Sequence, residues 1–325
     1  MKKVVGLVII IILIITLTRC DQLKEPYKEP TYFSYTVLPQ STDVAITTTT
    51  LFHYATLNTR LTLQGKLFIF LGSTASKPEN YSLLIKEATS LGYHVINLNY
   101  LNTVDEQVCK DKNDLGCFKN YHEEMIFGGK QSELVDISVA NSISNRIIKL
   151  LQYLQNLNPH DGWNQFYEDS DLIYSKIVLA GHGQGGGHAA YLAQKFSVDR
   201  LILFSSPNDY SNAFKQPATW CKDKFATTSD RFYSLVHKRD DALDLVKQHA
   251  IWKNIGLLDE TDTSSAELPN YSSFHALVTH QIPNPTAKAL PLYRNATAQD
   301  YALPIGADRE QLKLVWLYLM GSSAR

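Results

Sequence analysis

Hydrophobic residues fall into two kinds of segment along this chain. Short strand-like runs rich in apolar residues are Leu67 to Leu71, which is apolar throughout, Tyr93 to Tyr100, Lys176 to Ala180, Leu201 to Phe204 and Arg231 to Val236. Runs of this length without polar alternation suit strands covered on both faces. Phe33 to Val37 and Leu51 to Leu57 add strands rich in β-branched or aromatic residues. Between the runs lie helical patterns at Tyr81 to Leu91, Asn141 to Leu157, Gly185 to Phe196, Ala242 to Asn254 and Arg309 to Met320. The broadest stripe is Ile143, Ile147, Ile148, Leu150, Leu151 and Leu154, which ends near Pro159. Strands that alternate with helices predict an α/β fold, a mostly parallel central sheet with helices on both faces. In such sheets chemistry collects at the carboxyl ends of the strands.

The first segment stands apart from this pattern. Lys2 and Lys3 precede an apolar stretch from Val4 to Leu17, followed by Thr18, Arg19 and Cys20. This is the order of an export signal. The stretch spans about 22 Å as a helix, short of the ~30 Å hydrocarbon core of a bilayer. Residues 1–20 are therefore expected to be a signal peptide, or a lipoprotein signal or anchor, and 21–32 a linker. Residues 33–325 then form one α/β domain. Leu17-Thr18-Arg19-Cys20 resembles a bacterial lipobox, with Arg19 where a small residue usually stands. Lipidation at Cys20, an uncleaved anchor and cleavage elsewhere all stay open, and each places the protein outside the cytoplasm. The expected location is the bacterial cell envelope, with membrane association through the N-terminus, or the secreted fraction.

Composition narrows the chemistry. The 325 residues carry 31 Lys plus Arg against 32 Asp plus Glu, a net charge of −1, and 44% are hydrophobic. That is a globular composition. No long run of like charge exists, which argues against a nucleic-acid partner. Cysteines stand at 20, 109, 117 and 221 without a C-x-x-C pair, so no zinc site is expected. No cofactor is expected either. In an exported protein Cys109 and Cys117, eight apart in a polar segment, are expected to pair, leaving Cys221 free.

The most specific motif follows the strand ending at Ala180. It reads Gly181-His182-Gly183-Gln184-Gly185-Gly186-Gly187-His188 and runs directly into a helical pattern. A strand, a glycine-bounded turn and a helix are the context of a nucleophile elbow, G-x-S-x-G. On these residues the chain resembles the α/β-hydrolase superfamily, in its bacterial secreted esterase and lipase-like branch. Gly183 occupies the position where the resemblance requires Ser. The chain order of nucleophile, acid and base implies Asp240, with Asp241 second, at the end of the strand Phe232 to Val236. It implies His275, within Ser273-Phe274-His275-Ala276-Leu277, as the base. The oxyanion hole would combine the N–H of Gln184 with that of Ser73, preferred over Thr74, in the turn Gly72-Ser73-Thr74-Ala75.

Plainer readings stand beside these. Asp240 or Asp241 suits a helix N-cap, and His275 suits an ordinary loop. His182 and His188 read as packing or hydrogen-bonding side chains, and Ser205 and Ser206 as pocket wall. Residues 102–133 read as a polar loop that caps the site. Glycine offers no atom to attack a carbonyl, so the expected function is that of an esterase or lipase-type protein whose active form would carry Ser at 183, and which is inactive or very weak as it stands. The alternative is a non-catalytic binder of a small ester or acyl ligand. A third reading has His275 activate water directly.

Overall fold

The computed structural model describes residues 31–48, 51–258, 263–267 and 269–322. The export segment, Cys20 and the linker up to residue 30 lie outside the described residues. Among those described, one sheet has nine strands in the order β1-β2-β4-β3-β5-β6-β7-β9-β8. They are β1 (Tyr32–Val37), β2 (His53–Asn58), β3 (Leu67–Leu71), β4 (His94–Leu98), β5 (Ile177–His182), β6 (Arg200–Phe204), β7 (Phe232–His237), β8 (Thr263–Ser265) and β9 (Ala276–Thr279). β2 runs antiparallel to both of its neighbours, and every other pair is parallel. The helices that matter here are α1 (Ser82–Ser90), α2 (Cys117–Phe127), α3 (Ile143–Leu157), α4 (Gln184–Lys195), α5 (Leu245–Asn254), α6 (Leu292–Asn295) and α7 (Ala307–Leu319).

The uninterrupted apolar strands are explained by a core on each face. In β3, Leu67, Ile69 and Leu71 pack with residues of α2, α3, α4 and α5, whereas Phe68 and Phe70 pack with residues of α1 and α7. Successive side chains point to opposite faces, so both sets must be apolar when both faces are covered. The α3 stripe is buried as its spacing requires, and the Ser142 side chain caps the helix by accepting from the Asn145 N–H.

Strand order decides where a site forms. From β3 the chain moves to β4 on one side, while β5 is followed by β6, β7 and β9 on the other. The order reverses between β3 and β5, and the loops leaving those two strands diverge and open a crevice. Those loops carry Gly72 to Ala75 and Gly183.

Two stretches differ from the sequence reading. Residues 102–133 contain α2 instead of forming a loop throughout. Its inner face buries His122 and Glu124 beside Phe118 and Met125, so the apolar period that would announce a helix is interrupted. Cys109 and Cys117 are joined by a disulfide that ties the start of α2 to the turn before it. Residues 276–279 form the strand β9 and not a late loop, and four residues are too few for a visible period.

Candidate functional site

The turn after β5 is built by backbone contact. A β-carbon on Gly181 would lie 2.5 Å from the Gly186 nitrogen and nearer still to the Gly185 carbonyl, and one on Gly185 would lie 2.5 Å from the Gly72 oxygen. Strand, turn and helix therefore approach too closely for side chains. Between them Gly183 has φ +54° and ψ −121°, and its N–H donates to the Phe204 carbonyl at 2.9 Å. This positive-φ conformation costs a non-glycine residue about 1 to 3 kcal/mol. Gly183 forms the N-cap position of α4, which has no side-chain cap.

The space that a side chain at 183 would take is filled. A β-carbon there would lie 2.7 Å from Cζ of Arg294, and closer still to its Nη2 and to Ser73 Oγ. Arg294 sits on α6 and is 3% exposed. Its carbonyl accepts from the Thr297 hydroxyl at 2.8 Å and faces His182 Nε2 at 3.2 Å. Burial, with the Arg294 charge, lowers the His182 pKa to about 3, so this ring is neutral. With Nε2–H donating to Arg294, Nδ1 accepts from Tyr81 Oη at 3.1 Å. His182 is thus a strut beneath Arg294.

Asp240 and Asp241 follow β7, and each accepts backbone hydrogen bonds. Asp240 Oδ1 accepts from the N–H of Ala242 and, longer, of Leu243, while its buried Oδ2 has no hydrogen-bond partner. Burial raises its pKa, opposed by the charge of Arg294. Asp241 caps α6 by accepting from the N–H groups of Tyr293 and Arg294.

The base assignment needs correction. His275 precedes β9 at its amino end. His182, Phe204, Leu235 and Leu277 stand level across β5, β6, β7 and β9. Gly183 lies one residue beyond that level and His275 two residues before it. Three strands across and three residues along the sheet place them about 14 Å and about 10 Å apart in the two directions. His275 instead stacks on Tyr233 at 4.3 Å and lines a separate cavity with Asp230 and Lys253. The side chain that lies over the elbow, after the acid in chain order, is Arg294.

The proposed oxyanion donors differ in state. The Ser73 N–H donates to Tyr81 Oη at 2.9 Å and is engaged. Gln184 heads α4, and its side chain accepts from Thr74 at 2.7 Å and donates to Tyr121 Oη at 2.5 Å. Behind it lies a buried polar chain that sequence reasoning missed. His188 Nε2 faces Gln184 Nε2 at 3.4 Å, His188 Nδ1 faces His122 Nδ1 at 2.8 Å, and His122 Nε2 faces Asp209 Oδ2 at 2.7 Å. Burial depresses the His188 pKa, with the neighbouring His122 adding to it, so His188 is neutral. Its Nδ1–H then donates to His122, whose Nε2–H donates to Asp209. Trp220 Nε1 donates to the same oxygen at 2.7 Å.

In front of Arg294 and Ser73 opens a cavity of about 620 Å³, lined also by Thr74, Gln107, Lys110 and Asp241. Its lining includes no histidine. Glu106 approaches Arg294 Nη2 at 3.7 Å, and neither of its carboxyl oxygens makes a hydrogen bond. Among the described residues no cluster of His, Cys, Asp and Glu is arranged to hold a metal, and no helix is long and apolar enough to cross a membrane. Compared with known proteins, the chain matches no family model and no curated sequence.

Proposed function

We propose that this chain is a non-catalytic ligand-binding protein built on an α/β-hydrolase-type frame of esterase or lipase kind. The frame is supported by the elbow geometry at Gly181, Gly183 and Gly185 and by the site's place where the strand order reverses. One observation carries the loss of catalysis: the volume of a side chain at 183 is taken by the Arg294 guanidinium and Ser73 Oγ. The geometry therefore leaves no room for an attacking hydroxyl, and the water-activating role of His275 has no support because that residue lies at the other end of the sheet. Arg294 is always protonated and accepts no proton, so it does not replace a general base.

Hydrolysis of p-nitrophenyl acetate, butyrate and octanoate by the purified chain tests this, with fluorophosphonate labelling alongside. The expected result is no turnover above buffer and no label. Turnover that survives dialysis and scales with protein would overturn the reading. The residue 1–20 segment and the Cys109–Cys117 disulfide support an exported, envelope-tethered protein, since disulfides persist in oxidising compartments. Lipid mass on the membrane-associated form, absent in Cys20→Ala, is the expected result, and an unmodified Cys20 would remove lipidation from the account.

A further inference from the structure

The residues over the elbow form an arrangement that is electrostatically incomplete. A helix N-terminus carries partial positive charge and attracts anions. Here the α4 N-terminus has no side-chain cap, and the group lying over it is a cation. The Arg294 side chain is 4% exposed, and its Nε and Nη2 have no hydrogen-bond acceptor. Its nearest acid, Glu106, is beyond hydrogen-bond distance at 3.7 Å. Buried charge without paired acceptors costs several kcal/mol, so such groups are normally matched. A buried cation facing the positive end of a helix, on a residue that lines a cavity, is matched by an anion.

We propose that the cavity in front of Gly183 binds an organic carboxylate, whose oxygens pair with Arg294 while its carbon body lies against Ala289, Leu290 and Pro291. This rests on the non-catalytic reading and names its ligand class: the acid, not the ester. A guanidinium matches the two oxygens of a carboxylate in a bidentate pair. A monoanion is favoured over a dianion because the half-buried Asp240, which interacts with the Arg294 charge, already opposes it. Burial, reinforced by Asp105, pushes the Glu106 carboxyl well above the usual range, which keeps it neutral beside Arg294. The cavity volume of about 620 Å³ suits a small organic molecule. Lys110 on the lining adds a second positive charge.

Isothermal titration of the full chain with sodium octanoate tests the proposal, with octanamide as the neutral isostere and inorganic phosphate as the competing anion. Octanoate is expected to bind, and octanamide to bind about 10-fold to 100-fold more weakly, the range for losing hydrogen bonds to a charged group. Arg294→Gln is expected to weaken octanoate to the level of octanamide and leave octanamide unchanged. A second variant, Gly183→Ala, displaces the guanidinium through its β-carbon and is expected to weaken octanoate alone, which keeps the test open if Arg294→Gln does not fold. Equal binding of octanoate and octanamide, no binding of either, or tight phosphate binding without octanoate would each overturn the proposal. Hydrolysis of p-nitrophenyl octanoate by the unmutated chain would instead overturn the non-catalytic reading, so the two failures are distinguishable.

Discussion

Two polar clusters meet at the elbow and are finished to different degrees. Behind Gln184, the chain of His188, His122 and Asp209 is linked ring to ring and joined by Trp220 and Tyr121, and Asp209 Oδ1 is its atom without a partner. In front of it, Arg294 and Glu106 are about as deeply buried and Asp240 is half-buried, yet Arg294 Nε and Nη2, both Glu106 oxygens and Asp240 Oδ2 lack hydrogen bonds. Buried polar groups in a finished scaffold find partners, because leaving them unpaired forfeits their solvation. The rear cluster therefore reads as scaffold that fixes α4 and Gln184. The front cluster, whose Arg294 lines a cavity, reads as the side that a ligand completes.

The largest effect expected from this contrast is on the rear cluster. Asp209→Ala removes the acceptor of both His122 and Trp220 and is expected to cost about 3 to 5 kcal/mol, the range for breaking a buried pair. Urea unfolding measures it, and a loss under about 1 kcal/mol would show that this chain is not scaffold.

Acid should destabilise the fold through two other buried histidines. The His182 pKa is held near 3 by burial and by Arg294, and the His53 pKa near 3 by burial and by Arg146. Both lie below the unfolded value of about 6.5. A depressed folded value means that the unfolded chain binds the extra proton. The stabilisation is therefore present above about pH 6.5 and is lost as pH falls toward 3. Each group contributes at most about 1.4 kcal/mol per pH unit over that window. The melting temperature is expected to fall from pH 6.5 to 5, and a flat profile would contradict the neutral assignment.

The smallest effect belongs to the front cluster. Glu106→Gln replaces a buried carboxyl, held neutral by burial and Asp105, with a neutral amide of the same shape and is expected to shift stability by less than about 1 kcal/mol. A loss above about 3 kcal/mol would mean that Glu106 and Arg294 form a tight ion pair and that the front cluster is already complete.

Much of the fold was legible because its signals are local. Leu67 to Leu71 is the observed β3, and the α3 stripe gave every apolar residue of its buried face, though not the buried Arg146. The elbow glycines were legible for the same reason, since a strand–turn–helix crossing imposes close backbone contact within five residues. The front cluster was not legible. His275 drew the base assignment because a histidine after a small residue matched a pattern, while Ala276 to Thr279 is too short to announce the strand that carries it away. Arg294 lies nineteen residues further on in Leu292-Tyr293-Arg294-Asn295, a segment without periodicity, and its position over Gly183 depends on tertiary packing alone. His122 and Asp209 were missed because their partners are 66 and 87 residues from His122 along the chain.

The central claim is that Arg294 fills the space that a side chain at 183 would take. Comparing p-nitrophenyl butyrate hydrolysis by Gly183→Ser with that of Gly183→Ser/Arg294→His tests it most directly, with melting temperatures confirming that both variants fold. The account predicts that the serine alone stays silent, because it meets a buried guanidinium and no base. It predicts that the double variant, whose new histidine replaces a guanidinium that interacts with the Asp240 charge, gains turnover and fluorophosphonate labelling. Full turnover from Gly183→Ser alone would contradict it.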